Sequence, residues 1–354
     1  MSLSRVAVGV GFDASRDDRR RGNGIHSREG VGEVWKEGRR RGCGGGKPQP
    51  GEARKLAKEI GAAAFTNFEK VLADDSIEAV DVTVPSGHHR KYVVAALNGG
   101  KHVFCETPMA LTLREADTMI AAAKAHRRLL LVAQVMRFVP AYQHAHEEAA
   151  SGHLEKPRVV VARRLARPYW TAKHRRPFSE YGEPLIELSI HDFDVANWIL
   201  GHPVSVVASG TAGGTGATEH AFVSIQYRGG IALVEGSAMM PPGFPFTTAV
   251  RVQGENGVLD HTDQFIRGPV PVTRFVRYSL EGVQPVRVRG QDPYEEECRH
   301  FVRCVQGRAD ATALSATAER DALEIALAAK ESIRTGSKIS IKPAGRSNAT
   351  PAGV

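Results

Sequence analysis

Hydrophobic and polar positions between residues 77 and 133 alternate in two kinds of segment. Short runs of apolar and β-branched residues occupy 77–84, 102–105 and 129–133, as in strands that a parallel sheet buries on both faces. Between them, residues 89–97 and 112–126 repeat apolar side chains at helical spacing. Strands that alternate with helices over short connections predict a parallel, doubly wound sheet in this part of the chain.

Beyond about residue 150 the pattern changes to short apolar segments separated by turn sequences. Arg-Gly-Gly at 228–230 and Glu-Asn-Gly at 255–257 are typical of hairpins. We therefore predict an antiparallel sheet with strands at 159–162, 204–209, 221–227, 231–237 and 248–253. Helical spacing predicts one helix before this sheet and two after it, at 186–200, 294–306 and 316–335. The last two helices are expected to pack back on the first half of the chain.

These patterns predict an α/β protein of two domains. Residues 1–150 are expected to form the doubly wound parallel sheet, and residues 151–342 an α+β domain with a large, mostly antiparallel open sheet. Residues 343–354 have no periodic pattern and are predicted to form a disordered tail. The composition, 42% hydrophobic and 24% charged, is that of an ordinary globular protein.

A glycine-containing motif follows the first apolar run of the chain. Gly9, Gly11 and Ala14 form the G-x-G-x-x-A pattern of a Rossmann-type dinucleotide-binding domain. In that fold the first glycine makes a tight turn, the second lets a pyrophosphate approach the backbone, and the third small residue lets the helix pack on the strand. The motif predicts NAD or NADP as the cofactor.

Residues 15–51 interrupt this pattern, because they are rich in glycine and arginine and have neither helical nor strand periodicity. A second buried strand with a terminal acidic residue for the adenosine ribose is not recognisable there. Two interpretations stay open: an irregular basic loop, or a sequence altered by a compensated reading-frame shift. Regular periodicity returns with a predicted helix at 52–60.

The net charge of +8 is unevenly distributed along the chain. Residues 16–41 hold nine basic and five acidic residues, so this short stretch carries half of the excess. Aromatic residues for base stacking are not interleaved with the basic ones, apart from Trp35. The charge therefore does not favour nucleic acid as a partner.

Apolar runs and cysteines predict the location of the protein. The chain has no apolar run of 18 residues and no signal-peptide pattern at its start, so no membrane association is expected. Its four cysteines, Cys43, Cys105, Cys298 and Cys304, form no CxxC pair. Reduced thiols in a cytoplasmic protein are the interpretation that fits this spacing.

Five stretches together resemble one family of enzymes. They are V-P-S-G-H-H (84–89), G-K-H-V-F-C-E-T-P (100–108), R-F-V-P-A-Y (137–142), E-L-S-I-H-D-F-D-V-A-N-W-I-L-G (187–201) and G-E-N-G-V-L (254–259). In order and spacing, residues 52–342 resemble the Gfo/Idh/MocA oxidoreductases. The resemblance implies NAD(P)-dependent hydride transfer at a carbinol carbon of a sugar, a cyclitol or a derivative. It also implies a homo-oligomer formed through the open face of the C-terminal sheet.

The resemblance assigns a cofactor role to residues at the carboxyl edge of the parallel sheet, where open α/β sheets bind ligands. Those residues are Pro85, Ser86, His89, Glu106 and Arg137. Glu106 is expected near the nicotinamide ribose. For His89, packing at the start of a helix is an equal alternative, and for Arg137 the alternative is a surface arginine.

Thr107 departs from the family pattern. The matching motif of the family is Glu-Lys-Pro, and its lysine contacts substrate and assists proton transfer. A threonine hydroxyl is neutral near pH 7 and supplies neither a cation nor an efficient proton donor. We expect position 107 to contact the reacting groups. The threonine implies lower activity, proton transfer by another group, or a substrate class that does not need the lysine.

Glu187 and His191 are spaced i, i+4 and therefore share one face of a helix. They match an Asp-x-x-x-His pair of the family, and His191 is predicted to be the base that takes the hydroxyl proton. The alternative is a surface His–Glu pair. Asp194, Tyr169 and Trp170 are expected to contact substrate, whereas Asp192 points elsewhere.

Two functions follow from these residues. The first is an NAD(P)-dependent oxidoreductase that acts on a small polyol or sugar. The second is a degenerate relative that binds a sugar or nucleotide without turnover, which Thr107 and the irregular stretch at 15–51 favour.

Overall fold

The computed structural model describes residues 6–7, 43–44, 64–65, 67–168, 178–266 and 268–342. Several predictions lie outside these residues: the glycine motif of Gly9, Gly11 and Ala14, the helix at 52–60, the substrate residues Tyr169 and Trp170, and the tail at 343–354. Of the irregular stretch at 15–51, only residues 43–44 are described.

The N-terminal half contains a four-stranded parallel sheet. Its order is β1-β4-β5-β6, with β1 at Val6–Ala7, β4 at Ala79–Val82, β5 at His102–Cys105 and β6 at Leu130–Val132. Two further short strands, β2 (Cys43–Gly44) and β3 (Ala64–Phe65), pair with each other. All four residues of β4 are buried, as the run of β-branched residues predicts.

Helices connect the parallel strands. They are α1 (Phe68–Leu72), α2 (Ser86–Asn98), α3 (Leu113–His126) and, after a 3₁₀ turn at Val135–Phe138, α4 (Pro140–Ala150). Thr112 caps α3, because its side chain accepts a hydrogen bond from the Glu115 amide at 3.3 Å. Proline begins α4, at a position where a missing amide hydrogen has no cost.

The C-terminal half is built on a nine-stranded sheet. Its strands are β7 (Val159–Leu165), β8 (Pro203–Ala212), β9 (Thr218–Tyr227), β10 (Ile231–Ser237), β11 (Phe246–Gln253), β12 (Gly257–Phe265), β13 (Val272–Ser279), β14 (Gly282–Pro285) and β15 (Ile339–Ser340). Their order is β14-β13-β12-β11-β7-β10-β9-β8-β15. Every pair is antiparallel except β7–β10, which is parallel because β7 enters from the first domain into the middle of the sheet.

Among the described residues of this half, four helices are present: α5 (Phe178–Tyr181), α6 (Pro184–Leu200), α7 (Pro293–Val305) and α8 (Ala316–Thr335). A 3₁₀ turn at Ala311–Leu314 leads into α8. Helix α6 covers the inner face of the sheet, where Ile190, Phe193 and Val195 are fully buried. No helix in the described part of the chain has both the length and the apolar character to cross a membrane.

The last helices return to the first domain, as predicted. The ring of Phe301 in α7 stacks on Phe104 of β5 with centroids 5.0 Å apart. Leu131 of β6 and Ser315, just before α8, form an isolated bridge. The predicted fold class, a Rossmann-type parallel sheet followed by an α+β domain with a large open sheet, is confirmed.

Candidate active site

The carboxyl ends of β4 and β5 meet at one edge of the parallel sheet. The Glu106 amide donates to the carbonyl of Val82 at 3.1 Å, which aligns the segment after β5 with the end of β4. Pro85 and Ser86, at the start of α2, are buried, whereas Glu106 and Thr107 are half-buried. The structure thus brings three of the predicted cofactor residues, Pro85, Ser86 and Glu106, to the same edge as Thr107.

His89 connects these two strand ends. Its side chain is 1% exposed, with Nε2 2.6 Å from the Val84 carbonyl and Nδ1 3.1 Å from the Pro108 carbonyl. Burial lowers the pKa of His89 to about 4, so the ring is neutral and donates to one carbonyl at a time. Both ring nitrogens face the backbone, which corresponds to the packing alternative for this residue.

Arg137 and Asp194 form a buried ion pair. Nε and Nη2 of Arg137 donate to the two carboxylate oxygens of Asp194 at 2.8 and 2.6 Å, and Asp194 is 0% exposed. Burial opposes the guanidinium charge, but the attraction of Asp194 outweighs it and raises the pKa of Arg137. A cofactor contact is predicted for Arg137 and a substrate contact for Asp194; in the structure the two contact each other.

Helix α6 carries Glu187 and His191 on one face. Pro184 begins the helix, Glu187 lies in its first turn, and both predicted catalytic side chains are half-buried. Asp192 points to the opposite side, as predicted: it is fully buried and accepts from Arg164 of β7 at 2.8 and 3.1 Å. Asp192 thus fixes α6 to the nine-stranded sheet.

Two buried carboxyl groups near this edge are not among the predicted site residues. Asp81 on β4 and Glu297 on α7 are 5% and 3% exposed. Burial, reinforced by the nearby charge of Glu106, raises the pKa of both carboxyls well above the ordinary range. A carboxylate within the apolar run at 77–84 was a visible signal for Asp81. The sequence around Glu297 contains no such signal, because the burial of Glu297 depends on how α7 packs against the first domain.

The edge fits the nicotinamide half of a dinucleotide. The carboxylate of Glu106 and the hydroxyl of Thr107 are half-buried hydrogen-bonding groups at the end of β5. Ribose hydroxyls need such acceptors and hydroxyl partners. Glu106 would contact the ribose, and Pro85 and Ser86 follow the neighbouring strand β4.

Comparison with known proteins identifies the family of this chain. Residues 45–134 match the profile of the GFO/IDH/MocA oxidoreductase family with an NAD-binding Rossmann fold, and residues 142–260 match the GFO/IDH/MocA C-terminal domain. These matches cover more than half of the chain. The fold and the site define a nicotinamide-dinucleotide-dependent oxidoreductase of two domains. The chain belongs to the Gfo/Idh/MocA family, and NAD or NADP is its cofactor, as predicted.

Three similar proteins illustrate the family. Scyllo-inositol 2-dehydrogenase (NAD(+)) of Bacillus subtilis is 27% identical over 84% of this chain and 87% of its own length. Myo-inositol 2-dehydrogenase of Thermotoga maritima is 26% identical over 79% of this chain and 85% of its own. The structure of an aldose-aldose oxidoreductase from Caulobacter crescentus, complexed with glycerol, has a TM-score of 0.80 at 18% identity and covers 96% of this chain and 100% of that one. This last likeness concerns the fold.

Proposed function

We propose that this protein transfers a hydride between NAD or NADP and a carbinol carbon of a sugar, a cyclitol or a derivative. The observation that carries the proposal is the position of α6. His191 lies one helical turn before Asp194, whose ion pair with Arg137 fixes the helix to the segment that follows β6. The names of the relatives, which are inositol dehydrogenases, support a polyol substrate.

His191 acts as the general base in this proposal. When bound, the nicotinamide ring accepts or supplies the hydride. The imidazole takes the hydroxyl proton during oxidation and returns it during reduction, because its ordinary pKa near 6.5 suits both directions. Glu187, one turn earlier on the same face, orients the imidazole or a substrate hydroxyl.

The test combines cofactor titration with a substitution. NADH and NADPH are titrated by fluorescence, and a panel of inositols and sugars is screened for a change in absorbance at 340 nm. His191→Asn should lower kcat by about 10²–10⁴-fold with little change in cofactor affinity. His126→Asn, on the exposed end of α3, is the matched control.

The second candidate function is binding of a sugar or nucleotide without turnover. Thr107 favours it, since the segment after β5 lacks the cation that the family places there. Cofactor binding with no absorbance change over the whole panel supports this alternative. If the His191→Asn variant turns over substrate at the native rate, His191 is not the base, but the proposed activity stands.

We further propose a homo-oligomer formed through the outer face of the nine-stranded sheet. Val207, Phe222, Ile231 and Leu233 on β8, β9 and β10 are 41–47% exposed on this face. Neighbouring exposed apolar residues of this kind mark interaction surfaces. A reducing, cytoplasmic location is proposed on the buried free thiols of Cys105, Cys298 and Cys304.

A further inference from the structure

Glu319 places a carboxyl group from the second domain against the segment that carries Thr107. It lies in the first turn of α8 and its side chain is 0% exposed. Oε1 accepts a hydrogen bond from the Met109 amide at 3.3 Å, two residues after Thr107. Oε2 is buried and has no hydrogen-bond partner within the described part of the chain. One oxygen is thus used to hold the cofactor-side backbone.

The groups that face Glu319 come from three other elements. Asp194 of α6 and Arg137 of the 3₁₀ turn interact electrostatically with Glu319. The charge of Glu319 also interacts with the Cys105 thiol of β5. Arg137 in addition donates to the Ala313 carbonyl at 3.2 Å, in the turn that leads into α8. If Glu319 ionises, two buried carboxylates compete for one guanidinium.

We infer that Glu319 is a positioning residue for the active site. In its protonated form it holds the Met109 amide and leaves Asp194 as the carboxylate that pairs with Arg137. Its ionisation adds a negative charge beside Asp194, weakens the Arg137–Asp194 pair, and shifts the turn of α6 that carries His191. The catalytic consequence rests on the proposed function, whereas the contact with Met109 does not.

The protonation state that this role needs exists near neutral pH. Burial, and secondarily the charge of Asp194, raises the pKa of Glu319 to about 8. The carboxyl is therefore neutral at pH 7, and at pH 9 roughly nine in ten molecules carry the buried charge. Activity should fall through this interval as pH rises, because ionisation is the disruptive event.

The test compares Glu319→Gln and Glu319→Ala in the full chain. Glutamine keeps a carbonyl oxygen for Met109 but does not ionise, so its kcat should match the native value at pH 7 and exceed it by up to about tenfold at pH 9. Alanine removes the acceptor, so kcat should fall about tenfold at pH 7 while the KM for the cofactor stays within twofold. Glu331→Gln, exposed near the end of the same helix, is the matched control and should retain the native profile.

Hydrogen exchange gives a readout that does not need turnover. Exchange of the Met109 amide should be faster in Glu319→Ala than in the native protein, and close to native in Glu319→Gln and Glu331→Gln. Unchanged exchange in Glu319→Ala overturns the contact, even if no polyol is oxidised. If polyols are oxidised but Glu319→Gln keeps the native fall in kcat above pH 8, the positioning role is wrong and the proposed activity stands.

Discussion

The side chain at position 107 determines which acid–base chemistry is available beside the carboxyl end of β5. Thr107 is half-buried next to Glu106, and its hydroxyl forms hydrogen bonds without supplying charge. An ammonium at this position would stabilise a developing alkoxide and donate a proton. If the proposed hydride transfer takes place, we expect Thr107 to limit proton transfer more than cofactor binding.

Thr107→Lys should raise kcat on the order of tenfold or more, with a smaller change in the Kd for NADH or NADPH. Steady-state kinetics and fluorescence titration measure the two quantities separately. Thr118→Lys adds the same charge on the exposed surface of α3 and serves as the control. If both variants change kcat equally, or if Thr107→Lys leaves it unaltered, this site works without a cation at position 107.

At the scale of the element, α6 is anchored by two buried ion pairs that point in different directions. Asp194 binds Arg137 beside the first domain, and Asp192 binds Arg164 on β7. Both carboxylates are 0% exposed. Both anchors lie within three residues of His191, so they fix the orientation of the part of the helix that carries it.

Asp192→Ala should lower the free energy of unfolding by about 3–5 kcal/mol, because it leaves the guanidinium of Arg164 buried without its partner. Urea denaturation followed by circular dichroism measures the loss. Asp260→Ala removes the partner of Arg274 in a more exposed ion pair of the same sheet. Water can solvate Arg274 there, so the decrease in the free energy of unfolding should be much smaller. Equal losses in the two variants would show that the buried pair does not anchor α6.

The local sequence pattern predicted the bounds of helices and strands better than it predicted which strands pair. The helix predicted at 316–335 has those bounds in the structure, and the strand predicted at 231–237 does as well. The parallel β7–β10 pair and the strands from β12 onward were not predicted, because pairing depends on contacts distant in the sequence. The i, i+4 spacing of Glu187 and His191 is local and could be recognised in the sequence. The burial of Glu319 depends on how α8 packs against the first domain, so the sequence pattern did not indicate it.

At the scale of the whole molecule, the two domains are joined by polar and apolar contacts on different sides of the parallel sheet. Phe301 stacks on Phe104, Arg137 pairs with Asp194, and Glu319 accepts from Met109. The nine-stranded sheet faces α6 and α8 on one side, and in the described part of the chain Val207, Phe222 and Leu233 are exposed on its other face.

That outer face has an apolar patch on three strands towards one edge of the sheet. Val207, Ser224 and Leu233 lie side by side across β8, β9 and β10, and Phe222 is the next outward residue on β9. If two copies associate through this patch, negative charges within it should separate them, because carboxylates of the two copies would be buried opposite each other. Phe222→Glu combined with Leu233→Glu should therefore convert a native oligomer into monomers, as measured by analytical ultracentrifugation. Val283→Glu, on the exposed edge strand β14, should retain the native mass. A native monomer, or an oligomer that the double substitution leaves intact, would show that this face does not join the subunits.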